Sequence, residues 1–279
     1  LASGSRGNAS LLAWRGHGWL IDIGIGPRSM AQRLSARGHS WQNVRGVLLT
    51  HTHGDHWNER TLAYLARLRI PIYCHAEHAA NLRGWSSAIV RLDAAKLVRE
   101  YDEAPLELTD RLRCQPLPVR HDSGATFGFR FDGPGDLFDP ASSLAYLADL
   151  GCWTSELAEM IADVQMLALE FNHDVALQWS SGRSPSLIER VLSDDGHLSN
   201  DQASALLDHM LGLAGAERLK HLVQLHLSRD CNRPELAVAA AQQVFDRCNC
   251  ECRVQTASQN VPSEPVALDM GVEPSSQEA

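Results

Sequence analysis

The segment Thr50-His51-Thr52-His53-Gly54-Asp55-His56 gathers three imidazoles and a carboxylate within six residues. It follows the apolar run Val47-Leu48-Leu49 and precedes a helix-like stretch, so it reads as a loop at a strand end. His51 and His53, two apart, can project together and grip one ion. Asp55 and His56 are displaced along the loop and can reach a second. Imidazole and carboxylate donors suit zinc, manganese or iron. Gly54 lets the backbone turn tightly between the two halves. The bland alternative is a surface histidine tract, and the apolar strand leading straight into the loop argues against it.

The elements around this loop alternate along the chain. Strand patterns cover Ala9–Trp14, Trp19–Ile23, Val44–Thr50 and Ile70–Cys74. Gly16–Gly18 marks a turn between the first two. Helical patterns run from Pro27 to Arg37, where Gly38 ends the helix, and from Trp57 to Arg69. Strand, turn and strand follow over Leu106–Phe131, then strands at Leu144–Leu147, Met166–Phe171 and Leu219–Leu227. Helices are predicted at Pro185–Leu192, Asn200–Leu213 and Pro234–Cys248. Clustered strands with helices in both halves predict an α/β protein of two sheets with helices outside, one continuous domain over 1–257. The last 22 residues, Ser258–Ala279, carry four acids and no base, and they read as a disordered acidic tail.

Composition narrows the class. The 279 residues hold 25 Lys+Arg against 34 Asp+Glu, a net charge of −9, with 44% apolar residues. A sizeable core is affordable and a broad basic nucleic-acid coat is not. Bound metals would supply local positive charge. No apolar run reaches the roughly 18–20 residues of a membrane span. The seven cysteines form no framework. With no leader pattern, reduced thiols and a cytoplasmic location are expected.

The loop is similar to the H-x-H-x-D-H signature of the metallo-β-lactamase superfamily. That resemblance implies a four-layer αββα sandwich and two divalent metal ions, zinc or manganese, with iron also possible. It also implies further ligands, which His121, Asp149 and His226 resemble in chain order. Asp149 is then the bridge. With His51, His53, Asp55 and His56 these make seven ligand positions. The segments Ser3-Gly4-Ser5-Arg6-Gly7-Asn8, Phe171-Asn172-His173-Asp174, Gly196-His197-Leu198-Ser199-Asn200 and His226-Leu227-Ser228, with Asn232 and Pro234-Glu235-Leu236, resemble the YycJ (WalJ) branch. The likeness runs from Ser3 to the Cys248–Val254 region. Cys231 and Leu150 depart from the pattern without removing a ligand. Members of this branch are associated with DNA exonuclease activity. Wider relatives cleave RNA or small phosphodiesters.

The resemblance implies hydrolysis of phosphodiesters by a water shared between the two metals, with nucleic acid as substrate and most plausibly exonuclease action on DNA. Asp55 would ligate and hold the nucleophile. His197, between Asp149 and His226 in the chain and before a helix cap, fits a leaving-group acid. Ser5, Asn8, Asn172, His173, Ser199 and Asn200 are candidate substrate contacts. A helix opening near Ser199 would aim N–H groups at an anion. The alternatives are a small-substrate hydrolase acting on a cyclic or modified nucleotide or a thioester, and a metal-bound regulatory protein without turnover. Cys248, Cys250 and Cys252 alternate, so on a strand they would share one face. Core packing suits them better than a soft-metal site.

Overall fold

The computed structural model describes residues 1–135 and 141–268. Two sheets face each other. The first has the order β1-β2-β3-β4-β5: β1 (Ser10–Trp14), β2 (His17–Ile21), β3 (Val44–Leu48), β4 (Ile72–His75) and β5 (Val98–Tyr101). Only β1 and β2 run antiparallel. Helices α1 (Pro27–Ser35), α2 (Glu59–Leu68), α3 (Ala76–Trp85) and α4 (Ser87–Ala94) belong to this half. The second sheet contains β6 (Leu106–Thr109), β7 (Leu112–Pro118), β8 (Phe127–Gly133), β9 (Ser142–Leu147), β10 (Met166–Glu170), β11 (His221–Leu225) and β12 (Arg253–Thr256), in the reverse of chain order from β12 to β6. Its helices are α5 (Ser155–Ile161), α6 (Val175–Trp179), α7 (Pro185–Leu192), α8 (Asn200–Ala214) and α9 (Pro234–Cys248).

Three apolar layers hold this αββα sandwich together. Phe127, Phe129 and Phe131 alternate on β8 and meet Trp19, Ile21 and Leu48 between the sheets. Leu34, Leu62, Leu65, Leu82 and Ile89 bury the inner stripes of α1 to α4. Leu157, Leu206, Leu207, Met210 and Phe245 do the same for α5, α8 and α9. Local chemistry sets the helix ends. Asn58 accepts from the Arg60 and Thr61 N–H groups to start α2, and Ser199 and Gln202 form a capping box on α8.

The parallel register places the chemistry. Leu147 pairs with Leu169, and Glu170 pairs with Leu225. Asp149, Glu170 and His226 therefore emerge level with one another at the carboxyl ends of neighbouring strands. Ligand sites in open α/β sheets favour that edge. Asp22, Asp149 and His226 all have left-handed backbone there, at φ 60, 56 and 55°. Asp and His tolerate that region better than most residues, and it is commonest at functional sites.

Three sequence readings change. Cys248 is the last residue of α9, Asn249 ends the helix with φ 51°, and β12 begins only at Arg253. The three thiols therefore share no strand face. Residues 76–101, where the sequence marks only a helix start between His75 and His78, form α3, α4 and β5. Ser258–Leu268, expected to be the start of a disordered tail, packs back on the fold: Arg37 donates to the Pro262 carbonyl, and Val266 and Leu268 lie against the inter-sheet core. Residues 269–279 of that tail lie outside the described residues.

Candidate metal centre

His51, His53 and His121 converge with potential ligand atoms all within 4.8 Å. Asp55, His56 and His226 form a second such triad, and Asp149 joins His51 and His56 between them. All seven positions expected from the sequence are thus brought to one place. They come from the loop after β3, the loop after β7, and the ends of β9 and β11.

The outer nitrogens of the imidazoles are occupied, which fixes where the inner ones face. His56 Nδ1 lies 2.8 Å from Asp22 Oδ2. His121 Nδ1 lies 2.8 Å from the Gly196 carbonyl. His226 Nδ1 lies 3.1 Å from Glu170 Oε1, and His51 Nδ1 lies 3.0 Å from the Thr50 hydroxyl. Such outer partners set tautomer and ring orientation in metal sites. His51 Nε2, His226 Nε2 and Asp149 Oδ2 are buried and have no hydrogen bond. Buried polar atoms are ordinarily paired, and here all three belong to ligand positions. The residues fit divalent ions.

Asp22 and Glu170 were not picked out from the sequence, and both are fully buried. Asp22 accepts from the Thr50 N–H at 2.9 Å as well as holding His56. Glu170 accepts from the Leu150 and Leu198 N–H groups at 3.0 and 3.3 Å, and from His197 Nδ1 at 2.7 Å. Its oxygens are spent on these donors, so it stands behind the ligands although it lies within 4.8 Å of Asp149, His197 and His226. A carboxylate closing an apolar strand was the available signal for both residues, because a buried charge demands partners.

The electrostatics follow the same pairing. Burial would push the Glu170 carboxyl up, but His197 and His226 outweigh it and hold it down at about 2. Burial likewise opposes the Asp149 carboxylate, and His226 and His56 draw it well below the usual range. His56, despite burial, is raised to about 10 by Asp149 and Asp22. His197 is raised by Glu170 and then Asp149 against the effect of burial.

The expected substrate contacts take different places. Asn8 Nδ2 donates to Asp55 Oδ2 at 3.1 Å and lies 2.9 Å from His56 Nε2. Ser5 is solvent-exposed on the same loop, and its neighbour Ser3 instead reaches the centre, accepting from the His226 N–H at 2.7 Å. Asn172 donates to the His226 carbonyl at 2.9 Å. Ser199 caps α8, and Asn200 exchanges amide hydrogen bonds with Asn232 at 3.0 and 2.9 Å. His173 is fully buried with neither ring nitrogen paired. Burial lowers its pKa to about 4. His197 stacks on His226, with ring centroids 5.2 Å apart.

Residues 18–219 match the family described as beta-lactamase superfamily domain. The chain belongs to that superfamily. It is 26% identical over 250 residues to exodeoxyribonuclease YycJ of Bacillus anthracis, covering 88% of each chain. Zn(2+)-bound PqqB from Methylobacterium extorquens superposes with a TM-score of 0.61 at 17% identity, over 89% of this chain and 83% of that one. A diphosphatase of the PhnP family gives 0.56 at 19% identity, over 81% and 75%. The fold is that of the metallo-β-lactamases, and the protein is a metal-dependent hydrolase of this superfamily. Among the described residues no helix is long and apolar enough to cross a membrane.

Proposed function

We propose that the protein is a two-metal phosphodiesterase acting on nucleic acid, an exonuclease on DNA. The observation that carries this reading is the Glu170–His197 pair beside two complete ligand triads. A positioned proton donor serves a poor leaving group, such as a deoxyribose oxygen. The 26% identity to an exodeoxyribonuclease over 88% of the chain supports DNA as the polymer.

His51, His53 and His121 would hold one ion, and Asp55, His56 and His226 the other, with Asp149 shared. Two divalent ions, zinc or manganese, supply Lewis-acid activation of water and neutralise phosphate charge. The chain's own groups do the rest. Asp55, oriented by the Asn8 amide, accepts a hydrogen bond from the attacking water and keeps it in line with phosphorus. Glu170 holds the Nδ1 proton of His197 and favours the imidazolium, whose Nε2–H passes its proton to the departing oxygen and leaves the ring neutral. Asn172 and Ser3 fix His226 from both sides of its peptide. The exposed Ser5 is the substrate contact we retain from the sequence; His173 is fully buried and does not meet substrate. We place the enzyme in the cytoplasm, where reduced cysteines and nucleic acid coincide.

A substrate panel tests the class. DNA and RNA, a cyclic nucleotide and a glutathione thioester are compared at equal metal loading. Polymeric DNA should be turned over fastest. Robust thioester hydrolysis with no cleavage of any nucleic acid would reverse the assignment.

A further inference from the structure

The glycine-rich loop Ser3–Asn8 reaches only one of the two triads. Its Asn8 amide touches Asp55 and His56, and its Ser3 hydroxyl accepts from the His226 N–H at 2.7 Å. Among the described residues, no hydrogen bond from this loop reaches His51, His53 or His121. Within the loop the Gly7 N–H donates to the Gly4 carbonyl at 3.1 Å, and Ala2 and Ala9 pair across its base. Gly4 and Gly7 hold φ values of 132 and 133°, which cost other residue types heavily. The Gly4 N–H donates to Asn8 Oδ1 at 2.8 Å, and that bond fixes which edge of the Asn8 amide faces the ligands.

Besides the Asn8 N–H to the Asp55 carbonyl at 2.7 Å and the Gly24 N–H to the Asn8 carbonyl at 2.8 Å, support for the Ser3–Gly7 side of the loop comes from the other end of the chain. Gln259 Oε1 accepts from the Arg6 N–H, and Gln259 Nε2 donates to the Gly7 carbonyl, each at 2.9 Å. One side chain thus brackets the loop on its donor and acceptor sides. The Ser258 carbonyl accepts from the Ser3 N–H at 3.2 Å. The segment is itself pinned: Arg33 donates to the Gln259 carbonyl at 3.0 Å, and Arg37 pairs with Glu264 at 2.9 Å. A Cβ on Gly4 would stand 2.9 Å from Gln259 Oε1, so the two segments are in close contact.

We propose that Gln259 is a positioning residue for the Asp55–His56–His226 triad. Acting through the Ser3–Asn8 loop, it sets the affinity of that triad for its ion and leaves the ion at His51, His53 and His121 unaffected. This rests on the two-metal reading above. Gly4 lies against Gln259, and Gly7 packs on the Gly24 carbonyl and Ile25, where a Cβ would stand 2.7 Å from each.

The test is stepwise titration of the chelator-stripped full chain with Zn²⁺ or Mn²⁺ by calorimetry, with ion-free melting temperatures measured in parallel. Gln259→Ala should weaken one of the two binding steps by about tenfold or more, the usual scale for residues that orient metal ligands. The other step and the ion-free melting temperature should stay as in the unmodified chain. Gln259→Glu keeps the acceptor for Arg6 and loses the donor to Gly7, so it should show a smaller loss at the same step. If Gln259→Ala folds poorly, Gln259→Glu alone decides. Two unchanged steps would overturn the inference. So would equal weakening of both steps with a lowered melting temperature, which marks a purely structural contact. Uptake of only one ion by the unmodified chain would overturn the two-metal reading and this inference with it.

Discussion

Glu170 Oε1 receives two imidazoles at once, His197 Nδ1 at 2.7 Å and His226 Nδ1 at 3.1 Å. One buried carboxylate thereby orients both the proposed metal ligand His226 and the proposed proton donor His197. Its second oxygen is held by two backbone N–H groups, from Leu150 and Leu198, so the carboxylate itself cannot turn.

That sharing separates two variants. His197→Ala should retain both ions and its fold, and lose roughly 10²–10⁴-fold in activity on natural DNA. On a nitrophenyl phosphodiester, whose leaving group departs unprotonated, the loss should be much smaller. Glu170→Gln should also weaken ion binding, by about 10–100-fold, because His226 loses its outer partner. Rates on both substrates with parallel metal analysis distinguish them. Equal losses on both substrates for His197→Ala would assign it to phosphate binding.

Asp149 joins His51 of one triad to His56 of the other, with potential ligand atoms all within 4.8 Å and Oδ2 3.1 Å from His56 Nε2. Asp149→Ala should therefore reduce metal content by more than one ion and abolish turnover. Elemental analysis after reconstitution reads this directly. Two ions retained with normal activity would make another residue the bridge.

Ion removal should lower stability. Each ion present at about 100 times its dissociation constant adds roughly 2.7 kcal/mol. For a chain of this size that moves the melting temperature by about 5–10 °C per ion. Melting curves with chelator and with added Zn²⁺ or Mn²⁺ check the shift.

A pH effect should arise away from the metals. His78 is buried, and its Nε2 lies 2.7 Å from the Ala125 carbonyl. Burial lowers its pKa from 6.5 to about 4. Above pH 6.5 the ring is neutral in both folded and unfolded chains. Between 6.5 and 4 the unfolded chain binds a proton that the folded chain refuses. Stability is therefore lost as pH falls through that window, by roughly 3 kcal/mol in full. His78→Asn should start less stable at pH 7.5 and lose less on going to pH 5. Urea denaturation at the two pH values, at equal ion loading, measures the difference.

The loop candidates were legible from residue type and spacing, three histidines and an aspartate together, whereas His121, Asp149 and His226 came from the family resemblance; the structure brings all seven to one place. The groups behind them were harder to see. Asp22 lies 34 residues from His56, and Glu170 lies 56 from His226. Only the sheet register joins them, although a carboxylate at the end of an apolar strand was a usable sign in both cases. Ser3 and Gln259 act across 223 and 253 residues of chain, and no local pattern marks such contacts. The cysteine run misled because period-two spacing was read as strand. Asn249, a left-handed helix cap, interrupts it.

The central claim meets its most direct test in DNA labelled at one end or the other. Duplex and single-stranded forms are incubated with manganese- or zinc-loaded protein and sampled over time for product length. The account predicts stepwise shortening from one end with release of mononucleotides, absent in Asp149→Ala. Internal cuts alone, or intact DNA under both metals while a small ester is hydrolysed, would contradict it.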